Sequence, residues 1–283
     1  GFISYKQGYR IPRRLYYTKP TKKVQKRTKQ KEEVMIHKDL KSAIEKVKID
    51  FINRNEIENV TDWQGNIDYK DEEMLVTRNV AFEANVTNDV RLLQIETACD
   101  LPWAEDHFQE RVSGIPSNPG ETYKYWPYHN NLDDSKYKSE KFSHTYQERF
   151  WPKKANNKNP IDGGESTNWG IHFQYGDLED VISLLLKNPL TRQAYLPIWF
   201  PEDTWAANNS QRVPCTLGYY FWIRGNKLYC NYIIRSCDLL RHFRNDVYLT
   251  CRLIQYVSER LNIKPGNLTM FIFNLHIFKK DLY

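Results

Sequence analysis

The 283-residue chain is 40% hydrophobic and 14% aromatic, enough to pack a core in one large domain, with or without an extension. No apolar run reaches the roughly eighteen residues of a membrane span, and the N-terminus lacks the apolar core of a signal peptide, which argues against secretion and for a cytoplasmic protein. The net charge of +6 is unevenly spread, because residues 1–31 hold eleven Lys and Arg and no acid, leaving 30 basic against 35 acidic residues in the remainder.

The chain divides into a basic N-terminal extension over 1–38 and a folded domain over 39–283. Such a basic arm is solvated or wraps a neighbouring subunit; clustered cations with Tyr5, Tyr9, Tyr16 and Tyr17 among them also suit nucleic acid or a protein partner. From Asp39 to Asn53 the apolar positions Leu40, Ala43, Ile44, Val47 and Phe51 predict an amphipathic helix capped by Asp39. A turn at Asp62-Trp63-Gln64-Gly65-Asn66 precedes a strand from Met74 to Phe82, and residues 101–114 read as a helix. Residues 122–145 form a long polar loop, and 152–176 are a polar insertion rich in turn residues that could cover an entrance. Asp177 caps a helix that Pro189 ends, and Thr191 to Trp199 follows as a strand.

Thr216 to Ile223 and Lys227 to Ile234 are aromatic and β-branched runs joined by Arg-Gly-Asn, which predicts a hairpin. The hairpin returns the chain, so Arg235 and Ser236 reach the level of Cys215, and a thiol, a cation, a hydroxyl and a carboxylate converge on one patch suited to a phosphorylated substrate. Val247 to Asn262 reads as a helix, and Leu268 to Phe278 as a last strand carrying His276. Five cysteines (Cys99, Cys215, Cys230, Cys237, Cys251) form no CxxC pair and no zinc framework, so they are expected as free thiols without a metal.

Val213-Pro214-Cys215, Arg235-Ser236-Cys237-Asp238, Phe243-Arg244-Asn245-Asp246 and Leu275-His276-Ile277 together resemble the thymidylate synthase family, and most closely its phage-type deoxycytidylate hydroxymethylase branch. The resemblance covers roughly residues 40–280. It implies an α/β (α+β) thymidylate synthase-like fold: a twisted, mostly antiparallel sheet with helices on one face and a dimer interface on the other. It implies Cys215 as the nucleophile that adds to C6 of a pyrimidine and so activates C5, and 5,10-methylenetetrahydrofolate as the one-carbon donor.

On the 101–114 helix the resemblance places a water-ordering glutamate, for which the register through Asn118-Pro119-Gly120 favours Glu105, with Glu110 as the alternative and His107 as structural. It makes Tyr146 the active-site tyrosine, and Arg235 with Ser236 the phosphate contacts. His276 becomes the ribose contact, Asp238 meets the pterin, and Arg192 is the arginine that crosses to a second subunit's phosphate. A basic residue of the family is replaced by Trp63, with Arg78 as a substitute.

Asp246 stands where uracil-using synthases carry asparagine, and a carboxylate accepts from the amino group of cytosine; a helix cap is the plainer reading of the same residue. His242 replaces a glycine beside the folate, and the chain stops at Tyr283 where family members continue into a segment that helps close the folate site. The expected reaction is hydroxymethylation of deoxycytidylate, with a methyl-transferring synthase and a non-catalytic nucleotide-binding or assembly subunit as alternatives.

Overall fold

The computed structural model describes residues 36–60, 72–128, 142–156, 176–209 and 211–282, all within one compact unit. Residues 1–35 of the basic extension, Trp63 and its turn, and most of the polar insertion lie outside the described residues.

The sheet is built on two long strands, β3 (Glu72–Asn85) and β8 (Lys264–Phe278), paired antiparallel from Met74↔Phe278 to Asn85↔Asn267. The short strands β1 (Ile36–His37) and β2 (Glu56–Val60) both pair with β3. On the other side β8 takes β6 (Lys227–Ile234) in parallel, β6 takes β5 (Thr216–Arg224) antiparallel, and β4 (Tyr195–Pro197) closes that edge. Most pairings are antiparallel, which agrees with the mixed α/β expectation.

The β5–β6 hairpin forms where the sequence predicts it. Gly225 and Asn226 both have positive φ (56° and 62°), the paired left-handed conformation of a two-residue turn that matches strand twist. Alternation then sorts the side chains. Leu228, Cys230, Tyr232 and Ile234 of β6 and Leu268, Met270 and Ile272 of β8 face the core. The opposite face carries Tyr220, Trp222, Tyr229, Phe271 and Phe273, half-buried or exposed, with Trp222 stacked on Tyr229 at 4.1 Å.

Helix α1 (Leu40–Arg54) starts at Asp39, whose carboxylate accepts from Ser42 N–H, and it buries the five predicted apolar residues against β3. Helix α2 (Val90–Thr97), capped by Asp89, went unforeseen. Helix α3 (Trp103–Val112) is followed, past the loop, by the short α4 (Tyr146–Phe150) and α5 (Pro152–Asn156). Then come α6 (Leu178–Lys187), capped by Asp177, and α7 (Pro201–Asn208). The expected strand over 191–199 shortens to Tyr195–Pro197, since only those residues pair with β5.

Helix α8 (Phe243–Arg260) packs on β6 and β8 with Val247, Leu253, Ile254 and Val257 inward. It begins at Phe243, four residues before the expected start, so Asp246 lies inside its first turn and does not cap it. Its N–H donates to His242 O at 2.8 Å. Among the described residues no helix is long and apolar enough to cross a membrane.

Candidate active site

A cavity of about 420 Å³ opens where the end of β6, the start of α8, α3 and α4 meet. Cys215 precedes β5 and Arg235 follows β6, so the hairpin ladder brings them together, and Arg235 N–H donates to Cys215 O at 2.9 Å. The guanidinium then clasps the same segment, with Nε donating to Pro214 O at 2.9 Å and Nη2 to Val213 O at 3.3 Å. Burial pushes the Cys215 thiol up, while the Arg235 and Arg212 charges pull it back and Asp246 adds to the rise. The thiol is therefore protonated at neutral pH and becomes a nucleophile only when a base takes its proton.

Past Arg235 the two-residue strand β7 (Cys237–Asp238) pairs in parallel with β8, matching Cys237 to Leu275 and Asp238 to His276. Ser236 Oγ sits 3.4 Å from His276 Nδ1, and the buried Nε2 of His276 has no partner among the described residues. Burial lowers the His276 pKa, so the ring is neutral and has a nitrogen to offer a ligand. Burial raises the Asp238 carboxyl even though Leu240 and Arg241 N–H both donate to its Oδ1 at 2.9 Å.

Asp246 is pushed up to about 6 by burial, with the Arg111 charge and a contact from Cys237 Sγ (3.5 Å) acting against the rise. It lines the cavity opposite α3.

The two glutamates of α3 separate here. Glu105 does not line the cavity. Its carboxylate takes both Arg252 Nε and Nη2 at 2.9 Å, Tyr248 Oη at 2.6 Å and Gln109 Nε2 at 2.7 Å, which staples α3 to α8. The expectation for Glu105 is thus corrected, because its charge and all its acceptor capacity are committed to that staple. Glu110, the alternative, lines the cavity and accepts from Gln147 Nε2 (2.6 Å), Thr122 Oγ1 and Glu121 N–H. Burial acts to raise the Glu110 carboxyl, but those bonds and His107 outweigh it and hold it at about 2.

A directional chain leads into Glu110. Arg111 Nε can only donate, and it reaches His107 Nε2 at 3.0 Å, so the proton of that neutral ring sits on Nδ1, facing Thr122 Oγ1 at 3.0 Å. Burial and the Arg111 charge bring His107 down to about 4. Tyr146, the first residue of α4, lies with its ring 4.0 Å beneath the Arg111 guanidinium. Its hydroxyl bonds Thr216 Oγ1 at 3.0 Å, which in turn bonds Tyr232 Oη at 2.9 Å. Burial pushes Tyr146 up to about 12.

Towards the other end His242 stacks on Trp126 (5.4 Å between centroids, 14°) with Tyr128 edge-on at 5.8 Å. Burial and the Arg212 charge bring this imidazole down to about 3, so it is a neutral aromatic wall.

A family model for thymidylate synthase matches residues 124–283, more than half of the chain. This chain belongs to the thymidylate synthase family. It is 29% identical over 119 residues to a putative thymidylate synthase of Methanosarcina barkeri, covering 42% of this chain and 52% of the relative. A putative thymidylate synthase of Methanococcoides burtonii is 26% identical over 157 residues (55% and 70%), and the thymidylate synthase of Mycoplasma pneumoniae 23% over 164 (58% and 54%). The chain spans about half the length of most of these curated relatives.

Against the thymidylate synthase pattern, the structure brings Cys215, Tyr146, Arg235, Ser236, Asp238, His242, Asp246 and His276 to one cavity. Arg192 is exposed and does not line it. Arg78 does not fill in for the missing phosphate cation; it pairs with Glu58 at 2.6 Å and Asn274 Oδ1 at 2.6 Å on the sheet. Two cavity arginines, Arg111 and Arg212, were not singled out from the sequence. Arg212 stands three residues before Cys215. Trp103, His107, Glu110 and Arg111 share one helical stripe, a spacing that would have exposed the cavity face of α3. Among the described residues no His, Cys, Asp and Glu cluster could hold a metal.

Proposed function

We propose that the protein transfers a one-carbon unit to C5 of a pyrimidine deoxynucleoside monophosphate, and that deoxycytidylate is its substrate and 5-hydroxymethyl-deoxycytidylate its product. The observation that carries this reading is the convergence of the Cys215 thiol, the Arg235 guanidinium and the buried Asp246 carboxylate on one cavity.

Arg235 and Ser236 hold the phosphate, with Arg212 as a second cation in place of the family's missing one, and the orphaned Nε2 of His276 meets a ribose hydroxyl. Asp246 accepts from the 4-amino group. The anionic substrate beside Arg235 and Arg212 holds those cations in place, and Cys215, once deprotonated, adds to C6. That addition makes C5 nucleophilic. Glu110, ionised throughout the working pH range, orders water over the ring by accepting hydrogen bonds.

Methylenetetrahydrofolate supplies the one-carbon unit in this chemistry. The buried Asp238 carboxylate, raised by desolvation, and the aromatic walls of Trp126, Tyr128 and His242 fit a flat, hydrogen-bonding pterin. The names of the relatives favour a second reading of the same cavity, transfer of methyl in place of hydroxymethyl. The uncovered aromatic face of the sheet suits a second copy of the chain, across which Arg192 would reach a phosphate.

Tritium release from [5-³H]dCMP and [5-³H]dUMP, with and without methylenetetrahydrofolate, tests the proposal. Release from dCMP that Cys215→Ala abolishes is the expected result, with product analysis separating hydroxymethyl from methyl. Release from dUMP alone overturns the base assignment. Silence with both, from folded protein, replaces the enzyme with a nucleotide-binding subunit.

A further inference from the structure

Arg111 is 6% exposed, yet among the described residues no carboxylate pairs with its guanidinium. Only Nε has a side-chain partner, His107. The two terminal NH₂ groups lie in the cavity wall above the Tyr146 ring. A buried cation without a counter-ion is costly, by several kcal/mol for a guanidinium shut away from water. The molecule holds a contrasting case: Arg149, buried to 1%, is met by Asp203 in a two-bond fork at 2.8 and 3.0 Å. The Arg111 charge reaches Asp246 across the cavity that both line, opposing the rise that burial imposes on its carboxyl. The two nevertheless do not close into an ion pair. A fixed donor and a fixed acceptor therefore face a common space that neither fills.

We propose that Arg111 is a second base-reading residue, donating to N3 of a cytosine ring whose 4-amino group is taken by Asp246. The neighbouring acceptor and donor on that edge match a guanidinium and a carboxylate in that order. Bonding through Nε to His107 and stacking on Tyr146 fix the plane of the fork before any base arrives, so little rotamer entropy remains to be lost. The inference rests on the nucleotide reading of the cavity and adds to it a residue outside the stretch matched by the family model.

The test compares binding of dCMP with binding of its 3-deaza analogue, in which carbon replaces N3 and only that acceptor is lost. Calorimetry on the full chain should show dCMP preferred by about 5- to 100-fold. Arg111→Gln should bring the two ligands to near-equal affinity, and Arg111→Lys, which keeps the charge without the fork, should reduce the preference. A merely structural role would weaken both ligands alike and leave their ratio unchanged. A wild-type protein indifferent to the deaza substitution overturns the inference, as does a preference that persists in folded Arg111→Gln. Wild-type protein that binds neither dCMP nor dUMP removes the nucleotide reading itself, and is thereby distinguished from failure of the Arg111 assignment alone.

Discussion

Helix α3 carries Glu105 on one face and Glu110 on another, and the two carboxylates look alike by most measures. Both are half-buried in their surroundings, Glu105 accepts four hydrogen bonds and Glu110 three, and both are held below the ordinary glutamate range despite burial. Their partners differ. Glu105 is bonded to Arg252 and Tyr248 of α8, so its charge joins two helices. Glu110 is bonded to Thr122, Gln147 and the main chain at Glu121, neutral groups that line or border the cavity. A charge neutralised by a fixed cation serves packing; a charge held by neutral donors keeps its field available to a ligand.

The contrast can be broken most directly at Glu110. Glu110→Gln should lower turnover by about 10²- to 10⁴-fold while the melting temperature moves little, measured by tritium release beside a thermal melt. A stability loss without a rate loss would mean that the two glutamates do the same job.

Glu148 sharpens the rule from the other side. It closes the capping box of α4 and accepts from Asn118 and Thr145 through Oε2, but its buried Oε1 has no partner among the described residues. Burial therefore wins and pushes it up to about 7. Because the folded value lies above the unfolded one, the protonated carboxyl stabilises the fold at low pH. That stability is lost as pH rises from about 4.5 through 7, by up to about 3 kcal/mol. Denaturant melts at pH 5 and pH 8 should show the loss in wild type, and Glu148→Gln should flatten it.

Glu105→Gln should cost about 1–3 kcal/mol, since Arg252 then faces a neutral amide, with turnover per folded molecule changed less than threefold. The smallest effect belongs to Asp246. Its carboxyl ionises at about 6, so dCMP affinity should fall about tenfold per pH unit below that value and be constant above it. In Asp246→Asn this dependence should vanish.

Most of the cavity wall around Cys215 was legible because it is fixed by local ladders. The hairpin between Thr216 and Ile234 follows from strand alternation and a Gly-Asn turn, and once it closes, Arg235 must meet Cys215. The helix capped by Asp39 and the one capped by Asp177 were equally plain, since cap and apolar face agree. What escaped was decided by long-range partners. Nothing near Glu105 in sequence announces Arg252, 147 residues on, so its commitment could not be read locally. Arg111 was passed over for the same reason. Helix α2 is two turns long and buries few side chains, too short for its period to stand out. The start of α8 was placed one turn late because its N-cap, His242, makes no side-chain cap bond.

The two-residue strand β7 has a consequence for how such a site can change over generations. By matching Asp238 to His276 it fixes, through main-chain bonds alone, the spacing between the proposed ribose contact and the proposed pterin contact. Inserting or deleting a single residue between Ile234 and Asp238 would turn Ser236 and Asp238 away together. Both proposed contacts would be lost in one event. New specificities are therefore reachable there by exchanging side chains on a constant backbone, as at Asp246 and His242, while changes of chain length are confined to stretches that no such ladder ties down.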